Sequence, residues 1–237
     1  MKALLRAEAL KLWVTPSLRY ALLAAPAVSV AAVGLAVVFR DQQSGDALGV
    51  FESAYAGRVA ALVLGVLLLG GEFQHGTISS LLADHPRRVR VILAKAGTAC
   101  AAGAIAAGLS IAAGFGVGAA ALATQSAELN VSAGQLAVLA GEQAIGFILW
   151  GLAGVGLGAL TASQSGGLLL GFGGLLAFAF LAGSDVAPFL PSGASDALIG
   201  DGAPSSLAPV PSGLVLCAWA TGLLTAGAAL FIRRDIA

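Results

Sequence analysis

Charged residues are scarce in this chain. They make up 10% of its 237 residues, whereas hydrophobic residues make up 58% and the mean hydropathy is +0.94. A soluble domain carries about 25% charged residues, so this composition excludes a water-soluble globular protein. Basic and acidic residues are equal in number, 12 of each, and form no long run of one sign. This composition gives no support to a nucleic-acid-binding role.

The residues that most enzymes need are also rare. The only lysines are Lys2, Lys11 and Lys95, and none follows a glycine-rich loop, so the chain has no phosphate-binding loop of an ATPase. No serine or cysteine nucleophile lies beside a histidine inside an apolar run, which argues against an intramembrane hydrolase. The two histidines, His75 and His85, are ten residues apart and do not have the i, i+4 spacing of a helical metal pair. We therefore predict no catalytic residue and no metal site.

The sequence does contain six long runs rich in Ala, Leu, Val and Gly. About 20 apolar residues in a helix cross the roughly 30 Å hydrocarbon core of a bilayer, and continuous rather than alternating runs favour helices over a β-barrel. We predict an all-α integral membrane protein with one transmembrane domain over residues 1–237. Its predicted spans are residues 20–39, 54–71, 96–123, 135–161, 165–183 and 212–232.

Basic residues are distributed unevenly between the loops. Ten of the twelve precede the first span, separate the second from the third, or follow the last; they are Lys2, Arg6, Lys11, Arg19, Arg87, Arg88, Arg90, Lys95, Arg233 and Arg234. These segments share one side of a six-span protein, whereas the loop at 184–211 has three aspartates and no basic residue. The two exceptions, Arg40 and Arg58, are near the outer ends of their predicted helices and can extend toward the headgroups. The positive-inside rule therefore predicts that both termini are cytoplasmic and that 184–211 is an outer loop.

The loop at 72–95 has the most specific sequence. A helix end is followed by a break at Gly76 and by a short helix, which Pro86 ends. Leu81 and Leu82 give that helix an apolar edge. A short helix held between two membrane helices suits the docking of a soluble partner, but the same residues also fit an ordinary basic inner loop. The residues alone leave both interpretations open.

A family pattern is present in the same loop. A Glu-x-x-x-Gly-Thr sequence at Glu72, Gly76 and Thr77 is followed by the Leu-Leu pair, by Pro-x-Arg at Pro86 and Arg88, and by a lysine that opens the next span. This pattern resembles the permease subunits of the type-2 family of bacterial ABC exporters. The start of the chain, with its glutamate and lysine ahead of the first span, and the basic C-terminal run are similar to the ends of that family.

The resemblance implies a permease of six spans with an amino-terminal interfacial helix over 1–19 and a cytoplasmic coupling helix. Position and Trp13 favour the interfacial helix, and Leu5, Ala9 and Leu12 give it a narrow apolar stripe. The implied location is the bacterial plasma membrane. The implied ATPase-coupling residues are Glu72, Gly76, Thr77, Leu81, Leu82, Pro86, Arg87 and Arg88.

The resemblance also implies the partners. A separate ATP-binding subunit, expected as a dimer, would bind ATP and Mg²⁺, and this chain would bind no cofactor. A second permease, either a copy or a related chain, would complete the translocation route, and membrane lipids would surround it. An apolar, glycine-rich interior fits lipids, antibiotics, peptides or polymers about equally, so multidrug or antibiotic efflux is one expectation among several.

Three polar residues near the outer side are candidates for a pathway or an outer interface. Glu142 and Gln143 fall in the outer half of the fourth span if that span begins near 135, but at the headgroups if it begins at Ala144. Arg58 is on the same side and could pair with Glu142.

Two alternative functions need no ATPase. An ATP-independent secondary transporter would show charged or discontinuous helices near the middle of the membrane. A non-transporting membrane scaffold or immunity protein would keep the docking loop but tolerate changes along any pathway.

Overall fold

The computed structural model describes residues 2–39, 47–84, 87–124, 131–181, 183–200 and 207–234. These residues are mainly helical and form no β-strand. Ten α-helices occur within them: α1 (Lys2–Val14), α2 (Pro16–Phe39), α3 (Leu48–Glu52), α4 (Arg58–Gln74), α5 (Ile78–Asp84), α6 (Arg88–Thr124), α7 (Ala133–Thr161), α8 (Gln164–Leu181), α9 (Pro191–Leu198) and α10 (Pro209–Arg233). Two 3-10 helices, Ser53–Gly57 and Ala187–Phe189, precede α4 and α9.

Six stretches of the described residues are long and apolar enough to cross a membrane. They are α2, the stretch Leu48–Gln74 that contains α3 and α4, and the helices α6, α7, α8 and α10. This is the architecture of a multi-pass all-α membrane protein, the class that the sequence predicts. Several helices extend beyond the predicted spans, and α6 begins at Arg88, because helical backbone continues past the apolar run into its polar flank.

Helices α4 and α7 form the centre of the bundle. In the most apolar 18 residues of the stretch that contains α4, 67% of the positions are buried, and the value for α7 is 61%. The corresponding value for α8, at the edge of the bundle, is 11%. Glycines allow the two central helices to touch: a Cβ atom on Gly154 would lie 2.2 Å from the carbonyl oxygen of Leu62 and 2.9 Å from the Cα of Gly65. The backbones can approach this closely only because these positions have no side chain.

Polar contacts identify the two ends of the bundle. One end carries α1, α5 and the C-terminal end of α10, where Arg88 bonds to the carbonyl of Phe231 and Arg234 to that of Leu160. We call it the terminal face. The other end, the opposite face, carries the 3-10 helix Ser53–Gly57 and α9, which are joined by a hydrogen bond between Tyr55 and Ser195.

Helix α1 packs on the bundle through one side. Leu4, Glu8 and Leu12 are buried there, whereas Leu5 and Ala9 are exposed. Glu8 can be buried because it pairs with Lys95. Of the predicted apolar stripe, Leu12 therefore faces the bundle, and the contact of Leu5 and Ala9 with the membrane surface stays a prediction.

Candidate functional site

Four charged side chains from three helices meet at the terminal face. We call Glu8 and Lys11 of α1, Glu72 of α4 and Lys95 of α6 the charge cluster. The Lys95 ammonium donates to Glu8 Oε2 and to Glu72 Oε1, both at 2.6 Å. The Lys11 ammonium donates to Glu8 Oε1 at 2.8 Å and to Glu72 Oε1 at 2.6 Å. Each carboxylate therefore contacts both lysines, and the formal charges sum to zero.

Burial makes this cluster sensitive to the loss of one member. The side chains of Glu8 and Lys95 are 1% exposed and that of Glu72 is 10% exposed. Desolvation of each ion costs several kcal/mol, and only close opposite charges offset it. The second oxygen of Glu72, Oε2, is buried and has no hydrogen-bond partner among the described residues. The charges of the two lysines are thus what offsets the free-energy cost of burying the Glu72 carboxylate.

Lys11 is the member that reaches the surface, with 39% of its side chain exposed. Partial burial acts to lower the pKa of its ammonium, but hydrogen bonds to Glu72 and Glu8 and the charges of these carboxylates outweigh burial and raise the pKa above its usual value. Lys11 is therefore charged at neutral pH.

The residue Glu72 also forms the turn between α4 and α5. Its carbonyl oxygen accepts the Thr77 N–H at 3.0 Å, while the Gly76 N–H donates to the carbonyl of Phe73 at 3.3 Å. Gly76 has φ +65, a left-handed conformation that costs glycine little. This pattern is a Schellman motif, which ends a helix and sets the direction of the next segment. One residue thus joins α5, through its backbone, to α1 and α6, through its carboxylate.

Helix α5 has a buried edge and an exposed edge. Ile78 is buried, Leu81 and Leu82 pack partly buried against the core, and Ser79 and Ala83 are exposed. The Thr77 hydroxyl donates to the carbonyl of Glu72 at 3.4 Å. The helix is therefore fixed on the bundle while presenting one side to solvent.

A cleft of about 560 Å³ opens between α1, α4 and α5. The charge cluster lines it together with His75, Thr77, Ser80 and Asp84. The His75 ring bonds to the carbonyl of Gly71 through Nδ1 at 2.7 Å. Among the described residues no group of three His, Cys, Asp or Glu side chains is arranged to hold a metal ion. The cleft is thus a polar recess beside the exposed edge of α5.

The two arginines of the predicted coupling set have separate surroundings. Arg88 Nη1 donates to the carbonyls of Phe231 and Ile232 at 3.0 and 3.1 Å and to that of Arg234. It neutralises the partial negative charge at the C-terminal end of α10. Arg87 is exposed. Neither residue lies in the charge cluster, and Pro86 lies outside the described residues.

A second polar network lies at the opposite face. The Ser195 hydroxyl accepts a hydrogen bond from Trp150 Nε1 at 2.8 Å and shares one with the Tyr55 hydroxyl at 2.7 Å. Arg58 forms an ion pair with Asp196 and stacks on the Tyr55 ring, 4.4 Å from its centre. These contacts hold α9 against α4 and α7.

We expect the pair of Arg58 and Asp196 to stabilise the packing of α9. Their side chains are 15% and 24% exposed, so little water screens the attraction. A double-mutant cycle with Arg58→Gln, Asp196→Asn and the double variant should give a coupling energy of about 1–2 kcal/mol in thermal unfolding. Strict additivity of the two single changes would contradict this contribution.

The other two outer candidates are not joined to this pair. Gln143 is buried and its Nε2 donates to the carbonyl of Phe51 at 3.0 Å. Glu142 is half-buried and no charged partner for it lies among the described residues. The suggested pairing of Arg58 with Glu142 is therefore replaced by the pairing with Asp196, because α9 folds back onto the bundle.

The predicted site residues did not include the partners that give the cluster its charge balance. Of the predicted set, Glu72 lies in the charge cluster and Gly76 and Thr77 form the turn beside it. From the sequence, Glu8 and Lys11 belong to the family-like start of the chain and Lys95 opens a span, and Lys11 and Lys95 are among the basic residues of the predicted cytoplasmic side; no partner is predicted for any of the three. The available signal for Lys95 was its isolation between apolar residues at the start of a membrane helix, where a charge requires a partner.

No protein-family model matches the chain, and no curated protein matches it either.

Proposed function

We propose that this chain is the membrane-spanning permease subunit of an ATP-driven ABC transporter, working as an exporter with a separate ATP-binding subunit. In this proposal α5 is the coupling helix, α1 is an interfacial helix, and the terminal face is cytoplasmic. The terminal face carries most of the basic residues, and the positive-inside rule favours that orientation. Export as the direction, and the plasma membrane as the location, rest on the family resemblance.

The link between α5 and the bundle is the observation that carries the proposal. A helix that converts movement of a soluble partner into movement of membrane helices must be accessible on one side and rigidly joined on the other. Ser79 and Ala83 provide the accessible side. Ile78, the Schellman turn and Glu72 provide the joint, since Glu72 bonds to lysines on α1 and α6. A displacement of α5 would be transmitted to α1 and α6 through the short hydrogen bonds of Glu72.

Energy would enter this chain only through its partner. The dimer of ATP-binding subunits would bind ATP and Mg²⁺ and close, which would displace α5. The bonds of Glu72 would transmit this displacement to α4 and α6. A second permease would provide the other wall of the route. A pathway that uses no ATPase would need a charged or broken helix at mid-membrane. The ion pairs of the described residues, by contrast, lie at the two ends of the bundle.

Co-purification tests the proposal directly. We expect affinity-tagged protein, solubilised from its native membrane in mild detergent, to retain an ATP-binding subunit identified by mass spectrometry. The variant Ala83→Arg should reduce that subunit at least tenfold, because it places a long cation on the exposed edge of α5. It should leave the fold unchanged because Ala83 is exposed.

The matched control is Ala133→Arg, which adds the same side chain at an exposed position of the opposite face. It should retain the partner fully. A wild-type preparation that reproducibly lacks an ATP-binding subunit would overturn the proposal and favour the secondary transporter or the scaffold. If Ala83→Arg and wild type retain equal amounts of the ATP-binding subunit, α5 is not part of the docking surface.

A further inference from the structure

We propose that the groove between the start of α6 and the end of α10 binds the headgroup of an anionic phospholipid. The groove has a volume of about 470 Å³ and is lined by Arg87, Arg88, Val89, Arg90 and Ile232. Three of these five residues are cationic and none is acidic. The ligand chemistry that matches them is a phosphate ester that also carries an apolar chain.

The guanidinium groups are available to an anion. Arg87 and Arg90 are exposed. Arg88 is held in place because Nη1 donates to carbonyls at the end of α10, and among the described residues its Nε and Nη2 have no partner. Planar guanidinium groups bind phosphate through paired N–H donors. Arg88 thus presents a fixed donor, and the exposed Arg87 and Arg90 add further donors.

The apolar lining distinguishes a lipid from a free anion. Val89 is 53% exposed and Ile232 is 44% exposed, and Leu93, one turn further along α6, is 54% exposed. These side chains continue the groove toward the apolar part of α6. A phosphate between the arginines would therefore place an acyl chain against Val89, Ile232 and Leu93, whereas inorganic phosphate would leave that surface uncovered.

The length of α6 places the groove at the depth of lipid headgroups. Its 37 residues extend about 55 Å, which exceeds the roughly 30 Å of the hydrocarbon core. Part of α6 must therefore lie outside the hydrocarbon, and its charged residues, Arg88, Arg90 and Lys95, are all near its start. This distribution favours a first turn at the headgroups, with Leu93 closer to the hydrocarbon. Anionic headgroups attract basic residues at such a position. This inference does not depend on the proposed transport function.

Lipid retention in a defined mixture tests the site. The full chain is purified in detergent, exchanged into mixtures of phosphatidylglycerol and phosphatidylcholine, and analysed by native mass spectrometry. We expect wild type to retain phosphatidylglycerol preferentially. The double variant Arg87→Gln/Arg90→Gln should weaken that binding roughly 10- to 30-fold. Arg88 is left unchanged because it also holds the end of α10.

The control variant Arg6→Gln/Arg19→Gln removes the same charge from exposed positions of α1 and α2. It should keep the lipid preference. Equal loss in both double variants would mean a diffuse effect of net charge and would overturn the site. Unchanged retention in Arg87→Gln/Arg90→Gln would overturn it as well. Displacement of the lipid by millimolar inorganic phosphate would identify a free-anion site and reject the assignment to a lipid.

Discussion

Replacement of Lys95 by methionine should destabilise the protein by about 3–5 kcal/mol. Lys95 is 1% exposed and is the donor to both Glu8 and Glu72. Methionine keeps a similar length but removes the charge, so two buried carboxylates remain with only Lys11 between them. The penalty is that of a buried charge left without compensation. It should appear as a lower midpoint of thermal unfolding of the detergent-solubilised protein.

Two further variants separate lost charge balance from lost packing. The double variant Glu8→Gln/Lys95→Met removes one charge of each sign and should recover most of the stability, because Glu72 and Lys11 remain paired. Lys11→Met should cost much less than Lys95→Met, since 39% of the Lys11 side chain is exposed. If Lys95→Met unfolds like wild type, or the double variant is no better than the single one, the charge cluster is not a coupled unit.

Replacement of Gly154 by alanine should separate the two central helices. The added methyl group would lie 2.2 Å from the carbonyl oxygen of Leu62 and 2.9 Å from the Cα of Gly65, both backbone atoms of α4. Neither atom can rotate away, so α4 and α7 must move apart. Such overpacking costs about 1–3 kcal/mol, and a backbone clash belongs at the upper end of that range.

Gly141, in the same helix, provides the control. An alanine Cβ there would have no atom within 4 Å, and alanine is favoured over glycine within a helix by about 1 kcal/mol. Gly141→Ala should therefore leave the unfolding midpoint unchanged or raise it, while Gly154→Ala lowers it. A shift of the same sign and size in both variants would show that helix propensity, rather than the crossing, decides the outcome.

The membrane architecture could be predicted because hydropathy is a local property. A run of about 20 apolar residues marks a span whatever its neighbours are, so six spans follow from the sequence. The break at Gly76 and the short helix with Leu81 and Leu82 were also predictable, since the left-handed residue and the apolar edge are encoded within a few positions. Helix ends were less well placed, as at α6, because backbone hydrogen bonding does not stop where hydrophobicity does.

The charge cluster and the outer pair could not be predicted in the same way. Glu8 and Lys95 are 87 positions apart, and Arg58 and Asp196 are 138 apart. Nothing in the local sequence of either partner specifies the other. Burial of Glu8 in α1 likewise depends on a distant partner, so amphipathicity alone does not predict that this glutamate faces the bundle.

The charge balance of the cluster has a consequence for how the protein is made. Its members are synthesised in the order Glu8, Lys11, Glu72 and Lys95, so a chain that has reached only the end of α4 carries two carboxylates and one ammonium at this position. The cluster becomes neutral only when Lys95, near the start of α6, has been synthesised. Until the third span is in place, α1 lacks its contact with Lys95, and a chain that stops before α6 carries one carboxylate more than it has lysines at this position.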